Sequence, residues 1–207
     1  MNTEHRKSHW ETIYETKALK DVSWYQPVPQ TSLSFIEKTG VSKDAKIIDI
    51  GGGDSFLVDH LLDLGYSNLS VLDISKAAIE RAKERLGKRA KKVNWIVSDI
   101  TLFETTEQFD VWHDRAAFHF LTSQEDIKAY VQNAKNYMRN NSHLIIGTFA
   151  KGGPLKCSGI EITQYSDVSL KSVFDEDWDQ KENLNIIHPT PFNTEQAFVF
   201  SRFLKRG

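Results

Sequence analysis

Three short segments carry glycines and acids at spacings that suit a nucleoside. Gly51–Gly53 follow a short apolar run, and a run of glycines lets a ligand approach the backbone closely. Asp73 ends a second apolar run twenty residues after Gly53, where an acid can accept hydrogen bonds from both ribose hydroxyls. Asp99 and Ile100 end a third run, where the edge of a base would lie. Together the three segments predict a nucleoside cofactor site.

Strands must place these segments at one edge of a sheet. Apolar runs predict buried strands at 46–50, 68–72, 93–97, 109–112 and 143–149, and helical patterns separate them. Two more strands, at 185–188 and 196–203, have no helix-length spacer between them, so we expect them to pair antiparallel. The prediction is an α/β fold with a doubly wound, mostly parallel seven-stranded sheet whose last strand is antiparallel. Ligands of such sheets bind beyond the carboxyl ends of the strands.

The first forty residues differ from the rest by their aromatic content. Trp10, Tyr14, Trp24 and Tyr25 lie there, with helical spacing around Trp10 and again over 33–38. We expect residues 1–40 to form a helical cover over cofactor and substrate, within one domain with the sheet of residues 41–207.

Composition narrows the class of protein. The formal net charge is −2, and the chain contains one short basic run. Because the chain as a whole is not basic, we expect no nucleic-acid partner. Cys157 is the single cysteine, which excludes an internal disulfide and a multi-cysteine metal site, and we expect no metal. No apolar run has the length of a membrane span. We expect a cytoplasmic protein without membrane contact, monomeric or a weak homodimer.

The glycine loop also narrows the cofactor. Phe56 occupies the place of the last glycine in a dinucleotide fingerprint, and Asp54 stands at the start of the next helix. A pyrophosphate prefers a helix N-terminus free of negative charge, whereas an ammonium or sulfonium tolerates Asp54 there. An NAD-dependent oxidoreductase is therefore less favoured than a protein whose nucleoside cofactor carries an ammonium and a sulfonium.

At this point the motifs resemble a known family. Four segments are similar to motifs of the class I S-adenosylmethionine (SAM) methyltransferases: Asp49-Ile50-Gly51-Gly52-Gly53-Asp54-Ser55, Asp73, Ser98-Asp99-Ile100 and Phe109-Asp110-Val111-Trp112. The chain also resembles a group of small, uncharacterised bacterial methyltransferases of this class. The resemblance implies SAM as cofactor, S-adenosylhomocysteine (SAH) as product, and these cofactor-binding residues: Asp49, Gly51, Gly52, Gly53, Asp73, Ile74, Asp99, Ile100 and His113. Asp49 would order the loop, Asp73 would hold the ribose, Ile74 would pack on the adenine and Asp99 would accept from its amine.

Catalytic candidates follow the fourth strand, where a substrate would face the methyl group. Asp114 and His113 lie within Trp112–Phe120, a segment similar to one of small-thiol methyltransferases and to another of protein lysine methyltransferases. His119 and His188 are the further base candidates. Expected substrate contacts are Trp10, Tyr14, Trp24, Tyr25, Arg115, Lys151 and Lys156.

The leading hypothesis is methyl transfer from SAM to a small molecule by in-line displacement, the acceptor being a thiol, another soft nucleophile or a carboxylate. The alternative is a protein lysine methyltransferase. A non-catalytic SAM-binding subunit is a third possibility. The Asn-Pro-Pro-Tyr and Pro-Cys motifs of nucleic-acid methyltransferases are absent from the sequence.

Overall fold

The structure, a computed structural model, describes residues 3–207 and is organised around a seven-stranded sheet. Its strands are β1 (Lys46–Ile50), β2 (Asn68–Asp73), β3 (Val93–Val97), β4 (Phe109–Arg115), β5 (Met138–Phe149), β8 (Trp178–Pro189) and β9 (Glu195–Lys205), with β6 (Lys156–Cys157) and β7 (Ile160–Glu161) forming a separate two-stranded hairpin. The order across the sheet is β3-β2-β1-β4-β5-β9-β8. β1 to β5 run parallel, and β9 lies antiparallel between β5 and β8. The predicted fold class is confirmed.

Helices cover both faces of the sheet. They are α1 (Thr3–Thr16), α2 (Gln30–Glu37), α3 (Leu57–Asp63), α4 (Lys76–Leu86), α5 (Gln124–Tyr137) and α6 (Asp167–Phe174). Ile47 joins a core with residues of α2, α3 and α4, whereas its neighbour Ile48 joins a second core with residues of α5 and α6. Alternate residues of the central strand are thus buried on opposite faces, which explains its unbroken apolar sequence.

Polar contacts hold helix α1 against α4. Glu11 accepts hydrogen bonds from the Ser75 hydroxyl at 2.8 Å and from the Ala77 amide at 3.1 Å, at the start of α4. Arg81 in α4 donates in return to the backbone oxygens of Tyr14 and Lys17 near the end of α1, both at 2.9 Å. Each helix therefore satisfies backbone groups at or near an end of the other. Held in this way, α1 lies over the carboxyl ends of the parallel strands.

Several elements are longer than the sequence pattern predicts. β8 begins at Trp178 rather than 185, because it is an edge strand whose exposed residues lack an apolar pattern. β4 continues to Arg115, through the polar residues His113 and Asp114. Helix α6 and the β6–β7 hairpin were not predicted. In the part of the chain that the structure describes, no helix has the length and apolar character needed to cross a membrane.

Candidate cofactor and acceptor site

A cavity of about 130 Å³ lies between α1 and the carboxyl ends of the parallel strands. Of the nine residues expected to bind the cofactor, all but Gly53 line it. Among the expected substrate contacts, Trp10, Tyr14, Trp24 and Arg115 line the same cavity. The strand order brings these residues together from opposite ends of the sequence.

The glycine turn after β1 leaves no room for side chains. Gly51 and Gly53 have φ angles of 64° and 43°, in the left-handed region that favours glycine. A Cβ atom on Gly51 would lie 2.5 Å from the Cβ of Ala117, and one on Gly53 would lie 2.8 Å from Oδ2 of Asp73. The backbone therefore passes close to the acids at the strand ends, as a cofactor-binding turn requires.

Asp73 is a buried acid at the end of β2 whose pKa is raised. It is 4% exposed, and its Oδ1 accepts the Ser75 amide at 2.8 Å. Burial, helped by the nearby charges of Asp54, Asp49 and Glu11, raises the pKa of Asp73 to about 7. This concentration of carboxylates suits hydroxyl donors and a cationic amino acid, so the donor set fits SAM. Asp54 is itself paired with Arg81 at 3.0 Å.

His113 is held from both sides. Its Nδ1 lies 2.7 Å from Oδ1 of Asp49, and its Nε2 lies 2.8 Å from the hydroxyl of Ser32 in α2. All three side chains are buried. Ser32 has no sequence signal beyond lying on the inner face of a short helix, and it was not predicted. His113 therefore links the cover to the glycine-loop acid Asp49.

Asp114 makes contacts that account for its burial without a ligand. Its Oδ1 accepts the amides of Ala117 at 3.0 Å and Phe118 at 3.1 Å, and its Oδ2 accepts the Tyr130 hydroxyl at 2.9 Å. It is fully buried and does not line the cavity. Burial raises the pKa of Asp114 to about 6. These contacts stabilise the turn after β4, and a catalytic role of Asp114 stays a prediction.

The two other histidine candidates are also constrained. Burial lowers the pKa of His119 to about 3, and its ring stacks on Phe149 with centroids 4.6 Å apart. His188 contacts the Ser23 carbonyl with Nε2 at 2.8 Å and the Gln26 side-chain amide with Nδ1 at 3.0 Å. Both nitrogens of His188 therefore serve to hold the segment that leads to α2. Neither histidine lines the cavity.

The remaining expected substrate contacts lie elsewhere. Tyr25 packs against Phe56 with ring centroids 6.1 Å apart, and Lys151 and Lys156 are exposed; none of the three lines the cavity. Gln196 and Phe198 of β9 do line the cavity, and neither was predicted to do so. β9 is the last strand of the chain, yet it lies between β5 and β8 in the sheet. This position next to β5 is visible in the sheet order and not in the sequence pattern.

Comparisons with known proteins agree with this geometry. A family model described as a methyltransferase domain matches residues 41–189. EEF1A lysine methyltransferase 2 of Danio rerio is 31% identical over 156 residues, which are 68% of this chain and 66% of that protein. Nodulation protein S of Bradyrhizobium diazoefficiens is 29% identical over 104 residues, which are 50% of this chain and 49% of that protein.

The chain thus spans slightly less than two thirds of the first of these relatives, and it spans 18% of the eEF1A lysine and N-terminal methyltransferase of Bos taurus. Among solved structures, the N-methyltransferase NodS of Bradyrhizobium japonicum WM9 in complex with SAH aligns with a TM-score of 0.75 and 18% identity, over 95% of this chain and 98% of that one. That likeness shows the shared fold. The chain belongs to the methyltransferase-domain family whose model matches residues 41–189, and it has the fold of the class I SAM-dependent methyltransferases.

Proposed function

We propose that the chain transfers the methyl group of SAM to a small-molecule acceptor. The observation that carries this proposal is the aromatic roof over the cavity. Trp10 of α1 meets Phe120 with ring centroids 4.8 Å apart and Trp24 with centroids 5.8 Å apart, both edge to face. Because these rings belong to the chain itself and cover the cavity, they suit a small acceptor that is fully enclosed, and they exclude water from the reacting atoms.

The chain's contribution is positioning rather than proton transfer. SAM supplies a methyl group on a sulfonium; an acceptor lone pair forms the new bond to carbon while the C–S electron pair returns to sulfur, giving SAH. Holding both partners in line is a large part of what an enzyme adds to such a step. Asp114, His119 and His188 do not line the cavity, and both ring nitrogens of His113, which does line it, are engaged by Asp49 and Ser32. The arrangement therefore favours an acceptor that attacks without losing a proton, such as a thiolate or another soft anion.

A protein lysine methyltransferase is the second candidate, favoured by the 31% identity to EEF1A lysine methyltransferase 2 of Danio rerio. Such an enzyme needs a channel through which a lysine side chain reaches the methyl group. For this chain the cover formed by α1 and Trp24 would have to move aside to open one.

Transfer of radiolabelled methyl from SAM distinguishes the two. We expect label in small thiols and organic anions, and none in folded elongation factor 1A or in lysine-containing peptides. Label in the protein and in no small molecule would contradict the proposal and establish the second candidate.

A further inference from the structure

Arg115, the last residue of β4, has a guanidinium that is only partly satisfied. Its Nη1 donates to the Trp24 carbonyl at 3.1 Å, whereas Nη2 is closed off from solvent and has no hydrogen-bond partner within residues 3–207. No carboxylate in that range comes within ion-pair distance of it. Burial lowers the pKa of Arg115 to about 10, so the group stays charged at neutral pH. A buried charge without a partner is costly, and proteins keep one where a ligand supplies the partner.

The surroundings of Arg115 form one half of the cavity. The guanidinium lies 5.6 Å from the ring centroid of Phe198, and Phe149 and Phe120 line the same cavity. Gln196, 9% exposed, also lines the cavity, and its Oε1 is buried with no donor among the residues that the structure describes. This half of the cavity therefore offers aromatic walls, one cation and one unsatisfied acceptor.

The acids nearby are already engaged. Asp49 is the carboxylate whose charge acts most on Arg115, but it lies beyond ion-pair distance and contacts His113 at 2.7 Å. Arg6, the other arginine lining the cavity, is paired with Asp99 at 2.8 Å and with Asp126 at 2.6 Å. Bound SAM would add a sulfonium and so increase the positive charge that an acceptor meets.

We propose that the acceptor is a small aromatic or apolar molecule bearing a carboxylate, which pairs with Nη2 of Arg115, and a hydrogen-bond donor that reaches Oε1 of Gln196. This inference rests on the proposed function and specifies its substrate class. One buried guanidinium nitrogen without a partner in the described residues, Nη2, suits a monoanionic carboxylate better than a phosphate dianion, which calls for more donors. The carboxylate acts as the group by which the acceptor is held, since pairing neutralises it and makes its oxygens weaker nucleophiles.

The test uses benzoate and phenylacetate as probes, with benzamide and phenylacetamide as neutral isosteres. Each is titrated calorimetrically into the full chain, alone and with saturating SAH. We expect the carboxylates to bind at least about tenfold more tightly than the amides. Arg115→Met should lose that preference, because it removes the cation. Gln196→Glu should reduce it, because a carboxylate on the wall of the same cavity repels the probe.

Arg139→Met is the matched control, because Arg139 is an exposed arginine paired with Asp110 at 2.6 Å and does not line the cavity. It should bind carboxylates like the unmodified chain, and all variants should keep SAH affinity within about threefold. Equal binding of amides and carboxylates, unchanged binding by Arg115→Met, or no carboxylate binding at millimolar concentration would overturn the inference. Failure of SAH to bind would instead overturn the proposed function, while the titration without SAH still reports on Arg115.

Discussion

Arg6 in the first helix and Asp99 after the third strand form a buried ion pair, with Nη2 of Arg6 2.8 Å from Oδ2 of Asp99 across 93 residues of sequence. Asp99 is also the residue expected to accept the adenine amine. The cover and the cofactor side of the site are therefore joined through one carboxylate.

Arg6→Ala should loosen this cover. The change removes the cation beside the buried Asp99, whose Oδ1 still accepts the amide and hydroxyl of Thr101 at 2.9 and 2.8 Å. We expect faster hydrogen exchange over residues 3–16 and faster release of SAH, with a loss of stability of about 3 kcal/mol. Lys7→Ala, an exposed neighbour on the same helix, is the control. Unchanged exchange in α1 of Arg6→Ala would contradict a role of this ion pair in closing the cover.

Asp73→Asn should stabilise the ligand-free protein while weakening SAM binding. Because burial raises the pKa of Asp73 from 3.8 to about 7, the folded chain binds a proton that the unfolded chain has released between these pH values. Stability therefore falls as the pH rises through that window. At pH 8 we expect the neutral variant to be more stable by about 2 kcal/mol, or roughly 4–8 °C in Tm.

The stability gap between Asp73→Asn and the unmodified chain should shrink as the pH is lowered from 8 to 5, measured by thermal unfolding. Its SAH affinity should fall by more than about tenfold, since the acceptor for the ribose hydroxyls loses its charge. A gap that stays constant with pH would show that Asp73 is not the titrating group.

Asp114 offers a direct contrast between a structural and a catalytic role. Alanine at this position removes the acceptor of two amides and of the Tyr130 hydroxyl, and should cost about 2–4 kcal/mol of stability. Asn keeps an oxygen for the two amides, so Asp114→Asn should lose less than about half of that and retain most of the turnover. An Asn variant that unfolds at the same temperature as the unmodified chain but has lost turnover would establish the catalytic role instead.

Much of the cofactor side of this molecule is predictable from sequence because its signals are local. Gly51–Gly53 follow β1, Asp73 ends β2 and Asp99 follows β3, and parallel strands bring such ends to one edge. Ser75 directly precedes α4, where a serine favours the start of a helix, and its side chain accepts the Ala78 amide at 3.1 Å. Local chemistry and the sheet topology here agree.

The acceptor side is poorly predictable because its contacts are long-range. Ser32 meets His113 across 81 residues, and Gln196 reaches the cavity only because β9 inserts beside β5. Asp114 illustrates the opposite case: a charged residue in an apolar segment suggested chemistry, and in the fold it satisfies the backbone of its own turn. Lys151 and Lys156 were expected to contact the substrate, yet both are exposed to solvent and do not line the cavity.

Calorimetric titration of the full chain with SAH, alongside NADH, tests the central claim most directly. The arrangement of Asp49, Asp73 and Asp99 around the glycine turn predicts a one-to-one complex with SAH of micromolar affinity and no heat from NADH. Binding of NADH without SAH would contradict the claim, and so would the absence of any SAH binding to the folded chain.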